Sequence, residues 1–391
     1  MVGVVSGLIL GLLLIATPVH GAAITINNPS PSAFERFGQS IDSANGLLAV
    51  GAPGASVNGA GAGQVWIFND RTGFLLRTVV SPNVQRGGSF GFSIKLAGHF
   101  LIVGAPGESV NGIATAGRVY IFNSDNGRLV NILVSPNVES DGFFGARVSQ
   151  EKGLVYVGAS IESVNGIHAA GRVYVFDIRT GDLVMTLLSP NVARNAVFGI
   201  AVDVSGGRLI VGTEDTVNGF DRAGRAYVFN ATSGSLISIL ITTNPQSGGL
   251  FGNSVAIEDD LALVGAFDES LNGVNYAGRV YFFNATTGSL IMTLVSPDAQ
   301  IEGSFGVAVR LVANRILIGA PNQIVGKVYV FRTTTGVLTR TLVSPNPEFQ
   351  AQFGISVDVA NRGIYVGAPG ATVGGQIEAG SAYIFRGTID S

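Results

Sequence analysis

The 391-residue chain has no cysteine and only three histidines. That rules out a disulfide framework, a thiolate metal site and a cysteine nucleophile. Charge is also scarce. Lys, Arg, Asp and Glu together supply 13% of residues, with a formal net charge of −3. This is about half the usual share, and it leaves no electrostatic footprint for nucleic acid. Disorder is excluded from the other side, because 47% of the residues are apolar and disordered chains are poorly hydrophobic. No useful length of sequence carries the 3.6-residue period of an amphipathic helix. Long apolar runs are missing as well, with a single exception at the start.

That exception is residues 2–18, VGVVSGLILGLLLIATP, followed by small residues around Gly21 and Ala22. An uncharged apolar core before a small-residue site reads as an export signal over residues 1–21. No Lys or Arg precedes Arg36, so the basic start of such a signal is lacking. Cleavage on export and retention as an uncleaved anchor both stay open. Elsewhere apolar runs stop after four to six residues, far short of the ~20 a helical span needs, so no further membrane span is expected. The expected location is secreted or cell-surface.

Glycine is abundant, at 55 residues, and its placement is periodic. Phe-Gly recurs at Phe37, Phe90, Phe144, Phe198, Phe251, Phe305 and Phe353, at intervals of 53, 54, 54, 53, 54 and 48 residues. Between successive pairs lie four short runs rich in Val, Ile, Tyr and Phe, bounded by turn residues, as strands should be. In the second repeat they start at Phe90, Leu101, Arg118 and Leu129. Each repeat thus reads as a four-stranded antiparallel sheet, and the chain as all-β.

The fourth run of the seventh repeat is missing after Phe385, while residues 24–29 (ITINNP) stand before Phe37 as residues 340–345 (RTLVSP) stand before Phe353. The N-terminal strand is therefore expected to complete the last blade and close a ring. Residues 22–391 read as one seven-bladed β-propeller, an architecture that leaves only short, protected strand edges.

These residues closely resemble the FG-GAP repeat, the blade of the integrin α-subunit head and of many secreted prokaryotic proteins. Phe-Gly opens every repeat, and Gly-Ala-Pro closes the second strand at Gly51, Gly104, Gly319 and Gly367, with degenerate versions at Gly158, Gly212 and Gly265. Members of this family often hold Ca²⁺ in an Asp-rich loop between the first two strands, since a hard cation wants several oxygens from a sharply turned loop. Here those loops are short, and the one acidic cluster, Glu258-Asp259-Asp260, lacks the alternating spacing. It reads as a hairpin turn, so no metal and no cofactor is expected.

The long 2–3 loops carry Asn-Gly at Asn58, Asn111, Asn165, Asn218 and Asn272, which reads as a repeated tight turn. Glu108, Glu162, Asp215 and Glu269 each precede an arginine by ten residues: Arg118, Arg172, Arg225 and Arg279. In the repeats with Gln64, Lys327 and Ser381 at the arginine position the acid is missing too. Structural ion pairs are expected, Arg–carboxylate forks being geometrically favourable.

Beyond each Asn-Gly the loop tips vary, placing His168, Phe220, Asp221, Arg222, Asn275 and Tyr276 on one face as candidate ligand-binding residues. On the other face Asn230-Ala-Thr232 and Asn284-Ala-Thr286 are N-glycosylation sequons. Catalysis finds little support. His20 falls in the signal, and His99 and His168 lie on opposite faces.

The sequence thus reads as an exported, non-enzymatic binding or adhesion module for an extracellular protein or glycan. The alternative is a self-assembling structural subunit, with a hydrolase last.

Overall fold

The computed structural model describes residues 23–386 except Asn361 and Arg362. The signal reading, on residues 1–21, lies outside the described residues. Seven four-stranded antiparallel sheets stand around an axis, and no described residue is helical. The second blade is typical. Its inner strand Ser93–Ala97 is followed by Phe100–Ala105, Arg118–Asn123 and the outer strand Leu129–Val134. The inner strand begins three residues later than the sequence suggests, because Phe90 and Gly91 form the turn that enters it. The last blade holds Ser356–Ala360, Gly363–Ala368 and Ser381–Phe385, and its outer strand is the N-terminal segment Ala23–Asn27. Ala23 pairs with Phe385 and Asn27 with Ser381, so the expected closure is observed.

Apolar side chains cluster between blades, which is why second and third strands are apolar on both faces. Each Phe of Phe-Gly is fully buried and meets two aromatic rings of its blade's third strand; Phe90, for example, lies 5.7 Å from Tyr120 and 6.0 Å from Phe122. The same arrangement spans the seam, where Phe37 meets Trp66 and Phe68 while Ile26, Tyr365 and Ile384 pack from the last blade.

The glycines of the two motifs explain one another. Every Phe-Gly glycine has φ between 88° and 100°, a region other residues avoid. Its carbonyl oxygen packs against the second-strand glycine of the preceding blade. A Cβ on Gly51, Gly104, Gly158, Gly212, Gly265, Gly319 or Gly367 would sit 1.8–2.3 Å from that oxygen. Phe-Gly and Gly-Ala-Pro are thus two halves of one inter-blade contact.

Candidate functional site

The expected face is built by two sets of loops. Asn111, Asn165, Asn218 and Asn272 have φ of 52°, 51°, 51° and 50° respectively, and the glycine after each is also at positive φ. This is the type I′ geometry of a two-residue hairpin. Beyond the hairpin, each tip hydrogen-bonds along its backbone to the 4–1 loop entering the next blade. His168 O accepts from Asn195 N at 3.1 Å, Asp221 O from Gly248 N at 2.8 Å, and Asn275 O from Glu302 N at 2.9 Å. The main chain is therefore fixed while the side chains are free to vary.

Of the six candidate ligand residues, Phe220 and Tyr276 are 42% and 49% exposed. His168 and Asn275 make no side-chain hydrogen bond to a described residue. Arg222 is held by Glu214 at 2.7 Å, and Asp221 accepts from Thr216 Oγ1 at 3.3 Å. No hydrogen bond or ion pair joins one tip to another among the described residues.

Beneath the tips lie the four acid–arginine pairs. The nitrogen–oxygen separations are 3.5 Å for Arg118–Glu108, 3.5 Å for Arg172–Glu162, 2.8 Å for Arg225–Asp215 and 3.4 Å for Arg279–Glu269. The acids are fully buried and have partners that the pairing pattern alone does not reveal. Tyr174 Oη donates to Glu162 at 2.5 Å, Tyr227 Oη to Asp215 at 2.8 Å and Tyr281 Oη to Glu269 at 2.6 Å. Ser81 and Thr242, each just past the preceding blade's outer strand, donate to Glu108 and Glu269 at 2.5 and 2.7 Å. Glu108 and Glu269 therefore tie two blades together, as does Glu162 through Asn137 Nδ2 at 3.5 Å, whereas Asp215 bonds within its own blade. The recurring Ser-Pro after the fourth strand was the available signal.

The repeat with Lys327 differs from its expected reading. The acid is relocated there, not lost: Lys327 pairs with Asp298 of the 4–1 loop, and Gln323 takes the tyrosine contact at 2.7 Å. In the first blade Glu35 plays this part, accepting from Asn28 Nδ2 at 2.6 Å and so pinning the closing strand.

Burial pushes the Glu162 carboxyl up from 4.5 to about 6, against hydrogen bonds and Arg172 that lower it. A carboxyl whose folded pKa is raised adds stability that is complete below pH 4.5 and is lost as pH rises through 6. The rise corresponds to about 2 kcal/mol. Burial raises Glu269 in the same direction. The protein is therefore expected to melt higher at pH 5 than at pH 7, and Glu162→Gln should flatten part of that slope. Thermal melts from pH 4.5 to 7 check it; a slope unchanged in the variant would remove Glu162 as its source.

The charge at the axis was not legible beforehand. At the third position of the inner strands stand Asp42, Lys95, Asp203, Arg310 and Asp358. Lys95 lies 2.9 Å from Asp42, and Arg310 lies 2.8 Å from Asp358 and 3.7 Å from Asp42. The three aspartates also accept backbone N–H groups of the next blade, from Leu96 at 2.7 Å, Ile257 at 3.0 Å and Ser43 at 2.7 Å. The layer thus joins blades around the channel, the seam between Asp358 and Ser43 included.

A second feature missed from sequence is a cleft of about 560 Å³ between the fifth, sixth and seventh blades and the seam. It exists because the sixth 2–3 loop is reduced to residues 321–326, where the second blade has residues 106–117. Exposed Ile301, Ile324 and Phe349 line it with Gln300, Asn322 and Gln350. The interval of 48 was its trace in the sequence.

The other candidates are placed simply. Asn230 and Asn284 start 3–4 turns, where their Oδ1 atoms accept N–H groups of Thr232 and Thr286, each at 3.0 Å. In the acidic turn, Asp259 has φ 50°, Asp260 pairs with Arg208 and accepts from Thr286 Oγ1 at 2.6 Å, and Glu258 accepts from Ala313 N at 3.0 Å. Those contacts build the hairpin and link it to neighbouring blades.

Seven blades locked by Phe-Gly turns, closed by a strand from the other end of the chain, define a propeller consistent with that of the integrin α-subunit head. The FG-GAP repeat family matches residues 236–283 and 338–385, each window running from the outer strand of one blade through the third strand of the next. The matched window is thus offset by one strand from the structural blade. No curated protein matches the chain. An FG-GAP propeller is in general a binding or structural module, and such repeats occur in extracellular and cell-surface proteins.

Proposed function

We propose that the chain is an exported, non-enzymatic binding or adhesion module that recognises an extracellular glycan or protein through its 2–3/4–1 loop face. One observation carries the reading. On a backbone frame fixed by repeated hydrogen bonds, this face exposes Phe220 and Tyr276 at the tips of the fourth and fifth blades, and Phe349, 70% exposed, on the wall of a cleft of about 560 Å³. Aromatic side chains beside polar groups are the usual anchors of recognition.

A glycan and surface-protein binding screen with the exported chain, followed by affinity measurement, tests it. Phe220→Ala/Tyr276→Ala or Phe349→Ala should weaken the ligand at least about tenfold, the ~1.4 kcal/mol scale of a lost aromatic contact, without changing the circular dichroism spectrum. Full affinity in both variants would remove the loop face from the interaction.

One observation favours a structural subunit instead. The outer strand Leu183–Leu188 is uncharged and exposes Leu183, Val184 and Leu188, an edge of the kind that pairs with other chains. Concentration-dependent sedimentation in the absence of ligand would support that reading.

A further inference from the structure

The mouth of the central channel holds a cation that the chain does not neutralise. Arg147 opens the third blade's inner strand, at the place occupied by Ser40, Ser93, Ser254 and Ser356 in other blades. Those serines do structural work. Their hydroxyls donate to the Phe-Gly carbonyls of neighbouring blades, Gly91, Gly145, Gly306 and Gly38, at 2.7, 2.8, 2.5 and 2.8 Å. Arg147 makes no such bridge. Its hydrogen bond to a described residue runs from Nη1 to the adjacent Ala146 carbonyl at 2.9 Å. The guanidinium lies over the Phe92 ring, 5.8 Å from its centroid. It forms no ion pair with a described carboxylate, and burial alone pushes its pKa below the usual arginine range.

The space beside it is a cavity of about 520 Å³ on the loop face of the axis, a size suited to a small ligand. Phe92, Phe267, Val307 and Ile355 supply apolar wall and Gln39 an amide, while Asn253 Nδ2 donates to Glu214 at 2.9 Å. Deeper in the channel, the acids nearest the axis are committed: Asp42 to Lys95, and Asp358 to Arg310. Counting Asp203, that layer carries three negative and two positive charges, which disfavours a dianion above it.

We propose that the channel mouth binds a small organic monocarboxylate with an apolar body, its carboxylate held by Arg147. A carboxylate matches the planar guanidinium fork and supplies the counter-charge that the chain withholds, while the apolar walls take the ligand's hydrocarbon part. The site is separate from the loop tips and does not depend on them.

Calorimetric titration of the exported chain with hexanoate, hexanamide and inorganic phosphate tests this. Hexanoate should bind saturably, and the other two at least about tenfold more weakly. Arg147→Met and Arg147→Gln should each abolish hexanoate binding, and Phe220→Ala/Tyr276→Ala should leave it unchanged. Because the contacts of Arg147 are its neighbour's carbonyl and the face of the Phe92 ring, both arginine variants should melt within about 3 °C of the parent. The proposal is overturned by no saturable hexanoate binding, by equal binding of hexanamide, by tighter binding of phosphate, by undiminished binding in either arginine variant, or by a Tm lowered in both variants by more than about 3 °C, the scale of a lost structural contact.

Discussion

A chain lacking residues 23–29 is expected to melt at least about 10 °C below the parent. The closing strand contributes buried Ile26 and five ladder pairs, and Asn28 behind it bonds to Glu35 at 2.6 Å and to the Ala379 carbonyl at 3.1 Å. Burying one isoleucine is worth roughly 2 kcal/mol, and hydrogen bonds involving a carboxylate about as much again. Together with the lost ladder, this comes to around 5 kcal/mol, at about 2 °C per kcal/mol for a large domain. The loss also reaches beyond the strand, since the faces of Trp66 and Tyr365 at the seam become accessible. A synthetic peptide of residues 22–31 should restore much of the Tm when added in trans. An unchanged melt in the truncated chain would show that the last blade does not depend on this strand.

Gly212→Ala is expected to be nearly as damaging, though it adds a single methyl. Gly212 does not need positive φ, so the backbone itself accepts alanine. The obstacle is the Gly252 carbonyl oxygen, 1.8 Å from the position of the new Cβ. Backbone meets backbone there, and neither side has a rotamer to change. The two blades must separate, at a cost of about 3 kcal/mol or more and a Tm loss of at least about 6 °C. Gly219→Ala is the control. Its φ is 85° and nothing lies within 4 Å of its Cβ position, so it should cost only about 1 kcal/mol of backbone strain. Equal melts for the two variants would show that the blades are not packed to their contact limit at this glycine.

The ring was legible because its determinants repeat. Phe37 to Phe353 mark seven blades, and the likeness of residues 24–29 to residues 340–345 locates the closing strand from sequence alone. The acid–arginine spacing was legible for the same reason. Features that occur in only some blades were not. Asp42, Lys95 and Arg310 occupy one position of the repeat, but Ser149 and Ala256 stand there in other blades and the charges are of both signs, so residue type did not mark the layer. Asp298 escaped because it serves Lys327 from a different loop than its counterparts. Arg147 stood in plain view after Phe144-Gly145, but only the serine bridges of other blades reveal that it makes no bond to a neighbouring Phe-Gly carbonyl. The glycine motifs were recognised from the start, whereas the fact that each is the other's steric partner needed three dimensions.

The register of the closing strand also sets how the ring would respond to force. Ala23 pairs with Phe385 at one end of the ladder and Asn27 with Ser381 at the other. The chain before Ala23 and the chain after Phe385 therefore leave from the same end. Tension applied between them would load one pair at a time and peel the ladder like a zipper, without shearing all five pairs together. Under load, the seam is the joint that yields first, while the six covalently continuous blades behind it stay folded.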